Sequence, residues 1–350
     1  MKREQAVRPF VERAFEDFVA AMSLPMVVLG DRLGLYKAMA GAGAMTPAEL
    51  AARTGCAERY VREWLSQQAA GGYVTFDEAT GQFALPDENA AVLADELSPT
   101  FMAGAFQLAQ GYAHSARHVE HAFRTGEGVE YDRQHPDVCM GVERFYLPAY
   151  TASLATSWIP ALQGVKAKLE AGAKIADVGC GHGVSTLLLA KTYPRCEVAG
   201  FDYHAGSVAR ARERARAAGL GERVRFEVAS ATAFPGRYQL VLLLDCLHDM
   251  GDPEAACRHI RAALEPDGTL LLVEPLAGDR LAENFTPLGR AYYAASTLNC
   301  VPTSLSQPKG LALGAQAGEA RLREVVTRAG FTRFRRAVEA PFNLVIEARP

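Results

Sequence analysis

The residues best placed to do chemistry lie in the run Ile175-Ala-Asp-Val-Gly-Cys-Gly-His-Gly183, with an acid nineteen residues beyond it at Asp202. An apolar strand enters three alternating glycines, Gly179, Gly181 and Gly183, and helical periodicity follows from Val184. Glycines there let the backbone turn tightly and let a ligand approach where a Cβ would stand. A second strand, Glu197–Phe201, runs into Asp202, whose two carboxylate oxygens suit a ribose diol. Strand, glycine turn, helix, strand and acid together describe a site for a nucleoside cofactor.

The glycine spacing decides which nucleoside. A dinucleotide site requires G-x-G-x-x-G and a helix N-terminus facing a pyrophosphate. Here Val184 takes the third glycine's place, and Asp177 ahead of the turn repels a pyrophosphate. A carboxylate there suits a cation, such as an ammonium or a sulfonium.

The second chemical group follows the apolar strand Tyr238–Leu244, in Asp245-Cys-Leu-His-Asp-Met-Gly-Asp-Pro253. Of the eight histidines, His248 alone sits just past a central strand with acids around it. Histidine titrates near neutral pH and can take a proton from a hydroxyl, phenol or amine. Three other histidines, His114, His118 and His121, share one helical face. That face lacks a visible third and fourth ligand and reads as polar surface.

The elements that must position these groups alternate β and α from Lys166 onward. Strands are expected at 175–178, 197–201, 224–229, 238–244, 269–274, 333–338 and 343–348, making a mostly parallel sheet. In such a sheet ligands sit beyond the carboxyl ends of the strands, which nominates Asp177–Gly183, Asp202, Ser230–Phe234, Asp245–Asp249 and Glu274. Ahead of this lie a helical stretch over 10–40 with Met26–Leu29 on its buried face, and a helix begun by Thr46-Pro47-Ala-Glu49. A second helix over 58–68 and a hairpin, 73–76 with 82–85, complete the order of a winged helix. The expected divisions are 1–98 as winged helix, 99–165 as helical cap and 166–350 as the α/β domain.

The Asp-x-Gly-x-Gly-x-Gly form with Asp202 downstream resembles motif I of the class I S-adenosylmethionine (SAM) methyltransferases. With the winged helix in front, the chain is similar to small-molecule methyltransferases of the plant-type and mycobacterial groups. The resemblance implies a Rossmann-like seven-stranded sheet, SAM as cofactor, and a winged helix that makes a homodimer. It implies that Leu247-His248-Asp249-Met250 carries the base, with Met for the family's Trp, and that Glu274 assists it. A second acidic helper falls near Gln316, which is not acidic. The adenine-side acid is replaced by Ser230, so adenine recognition passes to the backbone of Ala231 and Thr232. Cofactor contacts are expected from Asp177, Gly179, Cys180, Gly181, Gly183, Asp202, Tyr203, Ser230, Ala231, Thr232, Asp245 and Cys246. Aromatic and sulfur side chains suggest an apolar acceptor site from Phe101, Met102, Phe106, Tyr146, Tyr150, Tyr292, Tyr293 and Leu298.

Composition bounds the partners. The 350 residues are 49% hydrophobic and 22% charged, with net charge −3, as in ordinary globular proteins. Residues 1–98 hold nine basic and fourteen acidic side chains, a net charge of −5, so the winged helix is poorly equipped to neutralise phosphates. Seven cysteines without a C-x-x-C pair read as reduced thiols. No apolar run reaches membrane-spanning length, and the charged N-terminus has no signal-peptide core. A cytoplasmic protein with no membrane or nucleic-acid partner is expected. A ligand-sensing regulator, an NAD-dependent enzyme and a SAM-binding enzyme without methyl transfer are the competing readings.

Overall fold

The computed structural model describes residues 2–350, with side chains described from Val7 onward. The chain divides into two compact units, Met1–Ala113 with Pro136–Pro148, and His114–His135 with Ala149–Pro350. The stretch expected to form a separate cap is thus shared between them.

In the first unit a helix over Lys2–Arg32 stops where Gly34 turns left-handed at φ 68, and Leu35–Met39 restarts it in a new direction. The expected single buried face over Met26–Leu29 holds for Val27 and Val28, while Leu29 is exposed. At 100° per residue four consecutive positions cannot share one face. Thr46 and Glu49 form a reciprocal capping box at the head of helix Pro47–Thr54, and Glu58–Ala70 follows. Strands β1 (Thr75–Asp77) and β2 (Gln82–Ala84) pair antiparallel as the wing. Tyr36, Leu50, Trp64, Leu65 and Phe83 fill the core between them. The later helices join this unit through ions: Arg144 binds both oxygens of Asp31, at 2.6 and 2.9 Å, and Gln107 donates to Asp137 at 2.9 Å. Burial works against the charge on Arg144, but Asp31 and Glu96 outweigh it and raise its pKa.

The second unit is built on seven strands: β3 (Lys174–Val178), β4 (Glu197–Asp202), β5 (Val224–Val228), β6 (Tyr238–Leu244), β7 (Leu264–Pro275), β8 (Arg333–Glu339) and β9 (Asn343–Arg349). Their order is β5-β4-β3-β6-β7-β9-β8. Strands β3 to β7 are parallel, and β9 runs antiparallel to both its neighbours. The chain enters at β3, winds outward to β5, then returns to β6 on the other side of β3. That reversal opens a crevice at the carboxyl ends of β3 and β6. Leu240–Leu243 are fully buried, as a parallel strand covered on both faces requires. Strand β7 begins at Leu264 and not at Thr269, because an irregular register carries the Pro266–Gly268 turn inside the strand. An insertion between β7 and β8 supplies helix Pro287–Ala295, a π-helical turn at Ser296–Cys300 and helix Val301–Leu305.

Candidate active site

The glycine turn has the shape of a cradle. Gly179, Gly181 and Gly183 have φ of 73, 51 and 78, values that side chains disfavour. A Cβ on Gly179 would meet Cys246 Sγ at 2.7 Å, and one on Gly183 would meet the Phe226 ring at 2.6 Å. A Cβ on Gly181 would meet nothing within 4 Å, so this glycine faces open space that a ligand can use. Asp202 stands over the same turn. Its Oδ2 accepts from the Gly181 N–H and its Oδ1 from the His204 N–H, both at 2.9 Å. Burial raises its pKa, with those two N–H groups working against the rise. The carboxylate is fixed in orientation and short of donors, which a ribose diol supplies. An open glycine face beside a held, half-buried acid fits the adenosyl part of SAM.

Farther along the sheet, His248 sits in a single 3-10 turn, Leu247–Asp249, after β6. Glu274 on β7 holds this turn with both oxygens: Oε1 accepts from the Leu247 N–H at 2.9 Å, and Oε2 lies 2.5 Å from His248 Nδ1. His248 and Glu274 are 4% and 2% exposed, so water does not screen the pair. Asp249 Oδ1 lies 3.2 Å from the other ring nitrogen, Nε2. Burial alone lowers the pKa of His248, but Glu274 and Asp249 outweigh it and hold the imidazole well above its ordinary value.

Comparisons with known proteins agree with this geometry. Residues 169–330 match the family model described as a methyltransferase domain, and residues 20–95 match an Rv2258c-like winged HTH domain.

Relatives of this methyltransferase domain include the O-demethylpuromycin-O-methyltransferase of Streptomyces alboniger, 30% identical over 67% of this chain and 61% of the relative. The 27-O-demethylrifamycin SV methyltransferase of Amycolatopsis mediterranei is 33% identical over 37% of this chain and 51% of the relative. The first curated relatives are spanned over 24%, 51% and 40% of their length, so the chain matches about half of them or less. Among solved structures, human N-acetylserotonin methyltransferase in complex with SAM has a TM-score of 0.68 at 18% identity, covering 97% of both chains. The mitomycin 7-O-methyltransferase scores 0.70 at 20% identity, covering 99% of this chain and 100% of its own. The fold is that of the SAM-dependent methyltransferases.

Asp177, expected to suit a cation, is 1% exposed, and its Oδ2 accepts the hydroxyls of Ser185 and Thr186, both at 2.6 Å. The two hydroxyls lie in the first turn of helix Val184–Thr192, where a negative charge meets the positive end of the helix dipole. Asp177 therefore braces the helix behind the turn. Cys180 is buried, and Cys246 donates from Sγ to the Val178 carbonyl at 3.3 Å. Ser230 and Thr232 form an exposed hydroxyl turn beyond β5, with Ala231 half-buried between them, and Tyr203 is half exposed.

Asp245 adopts φ 50, a strained value for a side-chain-bearing residue. It is held there by Tyr150 Oη at 2.8 Å and Asn343 Nδ2 at 2.9 Å. Tyr292 is buried, donates to the Phe342 carbonyl at 3.0 Å, and its pKa is raised by burial and by Asp245. Tyr293 and Leu298 are half-buried on the same insertion. The other four acceptor candidates belong to the first unit. There Phe101 is buried under Arg144, Phe106 packs on Tyr73, Tyr146 packs on Phe145, and Met102 is largely exposed. Phe106 packs against that unit's core. Of the helix histidines, His118 lies 3.5 Å from Arg133 and His121 3.5 Å from Glu127.

The sequence reading missed Gln307 and Ser304, which clamp the His248 loop from the insertion. Gln307 Nε2 donates to the Asp249 carbonyl at 2.8 Å, and Ser304 Oγ to the Met250 carbonyl at 2.8 Å. It also missed Asn343 and Cys300. No local signal marks these four, since each reaches its partner across about 50 residues or more of chain.

Proposed function

We propose that the protein transfers a methyl group from SAM to a hydroxyl oxygen of a small, largely apolar metabolite, with His248 as general base. The observation that carries this reading is the buried His248–Glu274 pair, 2.5 Å apart, at the carboxyl ends of neighbouring strands. Glu274 accepts a hydrogen bond from Nδ1–H, which keeps the proton on Nδ1 and leaves the Nε2 lone pair of the neutral ring to receive one from an acceptor. Oxygen as the acceptor atom is favoured by relatives named for O-methylation.

The roles divide by position. Gly181 gives the cofactor room, Asp202 grips its ribose, and Ala231 and Thr232 offer backbone groups to its base. The sulfonium of bound SAM supplies the electrophilic methyl. Holding acceptor and methyl in line can contribute roughly 7–11 kcal/mol, and a base adds a smaller factor of roughly 10²–10⁴. Tyr292 and Leu298 contribute an apolar wall, and Tyr150 with Asn343 keeps Asp245 in its strained position.

The raised pKa gives the reaction a pH signature. His248 is a base only when neutral, and its neutral form accumulates above its raised pKa. The turnover rate therefore rises with pH through a value above the ordinary histidine value of about 6.5. The test is incubation with SAM and a panel of phenols, alcohols, amines and thiols, reading product mass and the pH profile. A gain of one methyl on a hydroxyl with the rising limb is expected. Methyl gain with a flat profile from acid to alkaline pH would remove His248 as base. Conversion of a substrate with no mass gain and no loss of SAM would favour a rearrangement.

The first unit supports a homodimer and not a DNA-binding module. In helix Glu58–Ala70 the arginines are occupied, Arg62 by Glu58 and Arg59 by Glu63. The first helix carries an exposed apolar stripe, Val11, Phe15, Phe18 and Met22, at alternating spacings of four and three. Phe15 and Phe18 are 63% and 57% exposed. Such spacing is the seam of a helix pair, and an equal stripe on a second copy matches it by symmetry. The double substitution Phe15→Glu with Phe18→Glu is expected to convert a dimer to monomer in sedimentation; an unchanged mass would place any interface elsewhere. Among the described residues no helix is long and apolar enough to cross a membrane. No disulfide joins any of the seven cysteines, which supports a reducing, cytoplasmic location.

A further inference from the structure

Beside the base stands a group of donors that methyl transfer does not need. Cys300 closes the π-helical turn Ser296–Cys300 and is buried; such wide turns recur at functional sites. Its Sγ, His248 Nε2 and Asp249 Oδ1 all lie within 4.8 Å of one another, with 3.2 Å between the last two. Tetrahedral zinc, with bonds of about 2.0–2.3 Å, places its ligands roughly 3.3–3.8 Å apart. Asp249 Oδ1 is buried without a hydrogen bond of full geometry, and its near neighbours are His248 Nε2 at 3.2 Å and the Cys300 thiol, the same two groups that would share an ion with it. The opposite ring nitrogen of His248 is already held by Glu274. A carboxylate behind the imidazole is the usual outer support of a metal-binding histidine, because it fixes the tautomer and aims Nε2.

We propose that His248 Nε2, Asp249 Oδ1 and Cys300 Sγ form a binding site for a thiophilic divalent cation, best matched by zinc, and that the ion inhibits methyl transfer. Sulfur, nitrogen and a single carboxylate oxygen suit zinc and not magnesium or calcium, which take oxygen ligands. Three protein ligands leave a fourth position for water. On binding, the Cys300 thiol becomes a thiolate, its proton passes to solvent, and no electron moves. The metal bond uses the Nε2 lone pair that would otherwise accept the acceptor's proton. Inhibition rests on the proposed role of His248 as base; binding does not.

The experiment keeps those two claims separate. The full-length protein, stripped with a chelator that is then removed, is titrated with cobalt(II) as a spectroscopic stand-in for zinc. One equivalent is expected to give a thiolate-to-cobalt charge-transfer band, with visible bands of low-coordinate cobalt that zinc abolishes. The band should be lost in Cys300→Ala and the affinity weakened at least tenfold in Asp249→Asn, both checked for folding by circular dichroism. A missing band, or one that persists in Cys300→Ala, overturns the site. With an acceptor in hand, zinc should inhibit the wild-type protein at concentrations at least tenfold below those needed for Cys300→Ala, each judged against its own metal-free rate. Equal sensitivity would overturn inhibition through this site. Should no methyl transfer be found, the cobalt spectrum still decides whether the metal binds.

Discussion

Asp202→Ala is expected to weaken SAM binding by about 100-fold or more in calorimetric titration. Two charge-assisted hydrogen bonds to the ribose are lost, each worth roughly 1.5–3 kcal/mol, and every 1.4 kcal/mol or so is tenfold in affinity. The substitution also releases the Gly181 and His204 N–H groups that the carboxylate holds, so the cradle loses its shape along with its acceptor. Far-ultraviolet circular dichroism of the unliganded protein provides the control, since Asp202 lies at a strand end and outside the apolar core. Retained SAM affinity in a folded variant would mean that the ribose is gripped elsewhere.

His248→Ala lowers the turnover rate by roughly 10²–10⁴ and leaves SAM affinity nearly intact, because the imidazole is turned toward Glu274 and Asp249 and not toward the glycine turn. Glu274→Gln separates charge from position. The amide oxygen can still accept from Nδ1, but the negative charge that holds the His248 pKa up is gone. Its turnover should fall less than that of His248→Ala, and its rising pH limb should move to lower pH. An unaffected rate in His248→Ala would point to a thiol acceptor, since thiolates form near neutral pH without a partner base. The same pair has a stability signature: a histidine whose folded pKa is raised stabilises most below its unfolded value, and the gain is lost as pH rises through the folded one.

The alternation of strands and helices, the glycine turn and Asp202 were legible because their signals are local. Three glycines at alternate positions specify a turn, and period and run length specify strands, whatever the rest of the chain does. His248 and Glu274 could be named from strand ends because a parallel sheet brings every strand's carboxyl end to one edge. The winged helix was legible for a similar reason, in the Thr46–Glu49 cap and the hairpin that follows it.

Orientation was not legible. Asp177 has the residue type and position of a cofactor ligand, and only three-dimensional packing shows that one of its oxygens holds two hydroxyls in the first turn of the next helix. Phe101 and Phe106 look the same in sequence whether they line a pocket or fill a core. The clamp by Gln307 and Ser304, the Tyr150–Asp245–Asn343 bonds and the meeting of Cys300 with His248 and Asp249 join residues about 50 to 100 positions apart. The sequence by itself determined the elements, the cofactor class and the side chains capable of acid–base work, since these follow from short-range pattern. Which of those side chains face one another, and how Glu274 and Asp249 together raise the pKa of His248, only the tertiary structure decided, because charge and hydrogen bonding act through space and not along the chain.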